Sequence, residues 1–312
     1  MNIIRLGLFV ALMSLCSWGF NPHKKINETA VFLLPAEMAI FYKSYISQIT
    51  NKAIDADKRC YIDTAESPRH FIDLDTYENI DSIPIHWSQA QEKFTERALI
   101  AKGIVPWQIY RSYNSLVEAF KNNDVAKIIR HSADLGHYIA DAHVPLHTTS
   151  NYNGQFTNQV GIHALWETRL PEMFMEQYDL FIGPARYINN PLETAWRIVR
   201  ESNSLVDSVL MIEKELSQTM KAADIKSYVE RNKQLVYTYS DYYAEKYHAA
   251  LNGMVERRFR SSIFYVASYW FSAWVDAGQP NLKSLTLSTP ITEEEIIHYE
   301  NKKILGREEW HD

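Results

Sequence analysis

Cysteine is nearly missing from this chain of 312 residues: there are two, and one of them, Cys16, lies in a segment that reads as a removable leader. Without the leader only Cys60 remains, so no intramolecular disulfide can staple the mature protein, and its core or bound metal must hold it. A basic balance is missing as well. The formal charge is −6, and −7 once Arg5 leaves with the leader, which is a poor basis for a broad nucleic-acid surface or a stable double-stranded complex. Charge does not rule out a small cleft where bound cations reverse the local sign. No apolar run beyond the leader is long enough to span a bilayer, so no transmembrane anchor is expected. Convincing strand alternation, internal repeats and low-complexity linkers are also absent, which leaves a helical reading of the whole chain.

The leader is residues 1–17: a short basic region, an apolar segment over 6–15, then small residues. That pattern predicts export, secreted or periplasmic, with cleavage after Ser17 and Trp18 as the new amino terminus. Leu15 is larger than the residue usually found three positions before a cut. The same Leu15, directly before Cys16, argues against lipid attachment at that cysteine.

Helical periodicity then accounts for most of the chain. A buried-face helix, or two short ones divided at Pro35, is expected over 27–54. Residues 55–87 are acidic, contain two prolines and lack a period, so they read as a long ordered loop that something must fix. Further helices are expected over 88–101, 108–121, 124–144, from His163 to Pro171, and over 193–219, 222–252 and 256–276. The fold class expected is all-α, one compact multi-helix domain over 18–290 with long ordered loops, followed by a polar tail over 291–312 that has a short helical stretch at 292–299.

The chemistry concentrates in HSADLGHYIADAHVPLH, residues 131–147. His137 and Asp141 are four apart and project from one helix face, Pro145 closes the helix, and His147 follows. His163 and Glu167 repeat the four-residue spacing in HALWE. One such pair is often no more than a packed hydrogen bond, whereas two pairs and a histidine between them suit a metal site, and zinc accepts both ligand types. His131, Asp134 and His143 are assigned to packing or support. Upstream, Asp55, Asp57, Asp63, His70, Asp73 and Asp75 supply more candidates than a site needs, and most should be turn or cap residues. His23 taken alone has a structural or solvent role.

In this order the motifs resemble the superfamily of zinc-dependent phospholipase C enzymes and S1/P1 nucleases. The resemblance runs from Trp18 to Glu167 through His23, an aspartate before His70, LGHYIADAHVPLH, His163 and Glu167, with helical regions on to about Asp276. It implies an all-helical fold around three Zn2+. Asp55, His70, His137 and Asp141 would hold one ion, and Asp55 is preferred to Asp57 because AID at 53–55 looks like the family segment. Trp18, His23 and Asp141 would hold its neighbour, with Asp141 bridging, and His147, His163 and Glu167 the third.

The activity implied is hydrolysis of a phosphate ester by metal-activated water, without a covalent enzyme intermediate. Asp55 is a candidate for orienting or deprotonating that water, and Arg59, or Lys58, for steadying phosphate charge. The substrate is a phospholipid or single-stranded nucleic acid. The Trp18–His23 spacing and the Asp55-to-His70 spacing look like the nuclease branch, and Glu167 like the phospholipase branch, to which the reading tilts. Phe71, Tyr61 and Tyr152, with Tyr77, could form an aromatic wall for a base, and the tyrosines with Glu66 or Asp63 could hold a choline headgroup. A zinc-stabilised binding protein without turnover is the alternative outside enzymology.

Overall fold

The computed structural model describes residues 20–231 and 234–285. The leader, Trp18 and the 291–312 tail with its expected helical stretch lie outside the described residues. At the centre is an antiparallel pair, Val105–Lys121 and Val125–Ala142, joined by a tight turn in which Asn123 takes a φ of 52°. Asp124 caps the second helix, its carboxylate accepting from the Lys127 amide at 3.1 Å. Both helices carry apolar residues at three- and four-residue intervals, and both are largely buried because other helices cover them on several sides.

Met254–Asp276 crosses the pair, Pro191–Asn203 packs on the first member, and Phe20–Ala30 lies against both Val125–Ala142 and Met254–Asp276. Large aromatic residues fill the junctions. Trp270 donates from its indole to the Ser132 carbonyl at 2.9 Å and stacks on Tyr42 at 5.1 Å, while the Tyr42 and Ser132 hydroxyls pair at 2.9 Å.

Gly136 sets how closely the amino-terminal helix can approach. A Cβ at this position would lie 2.0 Å from Asn27 Oδ1, and Asn27 donates to the Ala133 carbonyl at 3.2 Å. The absent side chain thus makes room for the Asn27 amide against this helix, and His23, four residues before Asn27, is carried to the same side.

The all-α expectation holds, with one correction. Residues 222–252 do not form one helix: after the short Ala222–Ile225 turn come antiparallel strands Lys226–Arg231 and Gln234–Tyr239, then helix Asp241–Ala250. Tyr228, Leu235, Tyr237 and Tyr239 alternate with polar or β-branched residues, a period of two that favours a hairpin. The chain divides at Pro35, the second of the two expectations, with Ala36–Ser44 starting after it; the expected 193–219 helix is adjusted into Pro191–Asn203 and Val206–Gln218.

Of the 55–87 stretch expected as a loop, Asp55–Arg59 is instead a short helix, and the ordered loop at 60–86 is tied down by backbone hydrogen bonds and by one carboxylate. The Ile72 amide donates to the His147 carbonyl at 2.9 Å, Ile104 to Pro68 at 2.7 Å and Val105 to Phe71 at 3.1 Å. Asp75 accepts from the Thr149 hydroxyl and from the Ser150 amide and hydroxyl. Among the described residues no helix is long and apolar enough to cross a membrane.

Candidate metal centre

Val125–Ala142 delivers its last turn into the middle of the protein, with His137 and Asp141 both essentially inaccessible. Three other segments converge there. Phe20–Ala30 brings His23, the five-residue helix Asp55–Arg59 brings Asp57, and the loop after it brings His70. His23 Nε2 lies 3.3 Å from Asp141 Oδ1, and its ring stacks on that of His137 at 4.2 Å. On the other carboxylate oxygen, His70 Nδ1 and His137 Nε2 approach Asp141 Oδ2 at 2.9 and 3.2 Å. Asp57 Oδ1 is 3.3 Å from His137 Nε2 and 3.7 Å from His70 Nδ1.

A second group lies just beyond the proline. His147, in the turn Pro145–Thr148, and His163 both direct Nε2 at Glu167 Oε2, at 3.2 and 2.8 Å. Glu167 sits in a π-helical turn, Leu165–Arg169, that continues the short helix carrying His163. Such turns widen a helix by one residue, and they recur where a side chain must be aimed.

The outer nitrogens of three histidines are fixed by main-chain carbonyls. His137 Nδ1 donates to Ala53 at 2.8 Å, His147 Nδ1 to His70 at 2.8 Å and His163 Nδ1 to Tyr152 at 3.3 Å. A carbonyl can only accept, so the proton belongs on Nδ1 and each Nε2 lone pair points inward. His70 is turned the other way: its Nδ1 faces the cluster, while Nε2 sits between Cys60 Sγ at 3.5 Å and Glu66 Oε1 at 3.6 Å. Glu66 is wholly buried and accepts from Arg59 at 3.3 Å, Arg69 at 2.5 Å and the Tyr138 hydroxyl.

The electrostatics describe a site that wants cations. Burial disfavours charge on His137, but Asp141 and Asp57 outweigh it and raise the imidazole to about 10. Burial likewise opposes ionisation of Asp141, yet His137 and His147 hold this carboxyl well below the usual range, and Asp57, also opposed by burial, is lowered by His137. His23 is driven the other way, lowered by burial and by His137 alongside.

Asp57 Oδ2 and Asp141 Oδ1 are buried and accept no hydrogen bond. Anionic oxygens left so are costly unless a cation meets them. With inward-facing nitrogens at hydrogen-bond distance of one another, as in His137 Nε2 and His70 Nδ1 at 3.0 Å, the donor set fits a metal ion. Three ligand groups have the required proximity: His23, His137 and Asp141; Asp57, His70 and His137; His147, His163 and Glu167.

Seven of the residues expected as ligands therefore come together: His23, His70, His137, Asp141, His147, His163 and Glu167. Asp55 does not. It faces outward, part exposed, and pairs with Lys58 at 3.0 Å and Lys52 at 3.4 Å, because residues two apart on a helix look to different sides; Asp57 takes the inner position. Arg59 is also corrected as a free phosphate partner, since its guanidinium is held by Asp134 at 3.1 Å and by Glu66, behind His70. Glu66, bound in that same network, is no open headgroup carboxylate.

Phe71 is fully buried in the core, not a wall of an open pocket: the backbone at Gly103 (φ +84°) runs so close that a Cβ would lie 2.2 Å from the Phe71 carbonyl oxygen. Tyr61 is on the surface, 53% exposed. Tyr152 does border the second group, its ring 6.0 Å from that of His163 and its carbonyl holding that histidine. Asp134 and His143 take supporting places, the latter between the Ile139 carbonyl and Ser261. Sequence reasoning missed Glu66 as the partner of His70, although the two are four apart, the same spacing that exposed the ligand pairs. The chain matches no family model and no curated protein.

Proposed function

We propose that this protein is an exported zinc-dependent phosphodiesterase, phospholipase C-like, that hydrolyses a phosphate ester by direct attack of water. The observation that carries the reading is the convergence of eight buried histidine and carboxylate side chains into adjoining groups whose outer atoms are already committed to carbonyls and to Glu66. Nitrogen and carboxylate donors suit zinc; two of the groups share His137, whose one free nitrogen, Nε2, can serve only one ion, so a count of three ions needs Asp141 to bridge the first pair. Bound there, the ions would supply Lewis acidity towards phosphate oxygens and acidify water.

The chain's own residues divide the remaining work. Asp141 offers one oxygen on the His23 side and the other on the His70 and His137 side, the disposition a bridging carboxylate needs. Asp57 takes the part expected of Asp55. With its pKa depressed it is a weak base, so it orients water by accepting a hydrogen bond and does not hold the proton. His147, His163 and Glu167 serve the leaving-group side. Removal of residues 1–17 would free the Trp18 amine, five residues before His23 in sequence, as a further donor.

The test uses purified, processed protein with its metal content measured, assayed on phosphatidylcholine, single-stranded DNA and RNA, with and without chelator. Chelator-sensitive release of the phosphorylated headgroup supports the proposal. Cleavage of nucleic acid alone moves the protein to the nuclease branch. Full metal occupancy with turnover of none of the three leaves a zinc-stabilised binding protein.

A further inference from the structure

The turn between His147 and His163 docks on a buried carboxylate that the metal centre does not use. Gln159, in that turn, is itself buried. Its side-chain amide donates to the Leu210 carbonyl at 2.8 Å and to Glu213 Oε2 at 2.5 Å, both on helix Val206–Gln218. A carbonyl and a carboxylate are acceptors, so the amide nitrogen belongs between them. Glu213 is 3% exposed and takes two more hydrogen bonds on Oε1, from the Tyr239 hydroxyl at 3.1 Å and the Tyr243 hydroxyl at 2.9 Å. The side chains that bond to it are all neutral. A carboxylate buried in this way is costly unless its donors stay in place, and bonds to a charged acceptor are the strong ones.

The Gln159 backbone carries this tie on to a ligand. Its carbonyl accepts from the Ile162 amide at 3.1 Å, the residue just before His163, and its own amide donates to the Gly154 carbonyl at 2.8 Å. Gly154 has a φ of +70°, and a Cβ there would lie 2.6 Å from the Gln159 Cβ, so the turn closes tightly on Gln159. Asn153 Oδ1 accepts from the Gly161 amide at 2.9 Å, and the Tyr152 carbonyl holds His163 Nδ1 at 3.3 Å. The segment docked by Gln159 therefore fixes both the backbone entering His163 and the outer nitrogen of its ring.

We propose that Glu213, acting through Gln159, is a positioning residue for His163 and thereby for zinc held by His147, His163 and Glu167. The proposal rests on the reading of that group as a metal site, and it depends on neither turnover nor substrate. Glu213 keeps Gln159 docked, and the docked turn holds His163 Nε2 towards Glu167 Oε2, 2.8 Å away, before any ion arrives. A ligand set gathered in advance binds its ion more tightly than one that must be assembled.

The experiment measures zinc content by atomic emission and zinc affinity by competition with a chromophoric chelator, on the full protein. Gln159→Leu removes the donor and Glu213→Leu the acceptor, each at similar volume. Each weakens one class of bound zinc by at least about tenfold and leaves the remaining zinc as in wild type. Glu213→Gln, which keeps an oxygen able to accept from Gln159, recovers most of that affinity. Tyr247→Phe controls for a general loss of stability: it removes a 2.8 Å hydrogen bond to the Val209 carbonyl on the same helix and leaves Glu213 and its donors in place. It lowers the thermal midpoint and holds zinc as wild type does. Wild-type zinc affinity in either leucine variant, with its helical circular dichroism retained, overturns the proposal. So does a loss of zinc from Tyr247→Phe equal to that from Gln159→Leu. A wild-type protein that takes up no zinc removes the metal reading itself, and the proposal with it.

Discussion

Glu66 Oε1 lies 3.6 Å from His70 Nε2, on the side of the ring opposite the Nδ1 that meets Asp141. The pair is at ion-pair distance, longer than a hydrogen bond, and Arg59, Arg69 and Tyr138 hold the carboxylate there. Its role is to keep His70 basic and correctly turned.

Glu66→Gln keeps the shape and removes the charge. Metal affinity, measured by competition with a chromophoric chelator, should fall by about tenfold, the usual cost of losing an outer partner of a metal-binding histidine. The helical circular dichroism spectrum should be retained. Wild-type affinity in this variant would assign Glu66 to packing.

Asp141→Ala and Asp57→Ala should each cut phosphodiester hydrolysis by on the order of a thousandfold, the several kcal/mol that metal assistance supplies. Asp141→Ala should also lower metal stoichiometry more than Asp57→Ala, since Asp141 faces both sides of the cluster. Asp55→Asn should leave metal content and rate within about twofold of wild type, because it breaks only surface pairs with Lys52 and Lys58. Atomic emission and steady-state assays on the three variants decide between the two aspartates.

The metal-free protein should lose stability as pH rises from 6.5 towards 10. His137 is raised to about 10 in the folded chain, so the stability from its charged form is fully present below the unfolded value of 6.5 and disappears above the folded one. Metal competes with that proton, so binding tightens over the same window. Thermal midpoints of stripped and loaded protein should diverge with increasing pH, and a constant gap would contradict the assignment of His137.

Gly136→Ala should destabilise the fold by about 1–3 kcal/mol, as overpacking does, because its Cβ meets Asn27. The Asn27 amide must then move aside and lose its bond to the Ala133 carbonyl, one turn along the same helix from His23. Denaturant titration and metal content, measured together, should both change.

Much of this centre was legible in the sequence because its strongest signal is local. His137 with Asp141, and His163 with Glu167, declare themselves by four-residue spacing, and Pro145 places His147. Asp57 was not separable from Asp55, since both belong to one five-residue helix and only the packing of that helix decides which side faces inward. The carbonyls of Ala53 and Tyr152 carry no sequence signal at all. The hairpin was hidden for another reason: its alternation lasts only a few residues on each strand and lies between helix formers.

His147 and the 70–72 segment hold each other twice, through His147 Nδ1 to the His70 carbonyl and through the Ile72 amide to the His147 carbonyl. The partners are 77 residues apart in sequence, and two of the three ligand groups have a member in this clasp. Loops of that span close only after the helices between them have docked, so folding has an imposed chronology: secondary structure, then clasp, then a site able to take up metal. In stopped-flow refolding the helical signal should return before metal uptake does, which makes the cation a late seal on an architecture already built, not the template around which it condenses.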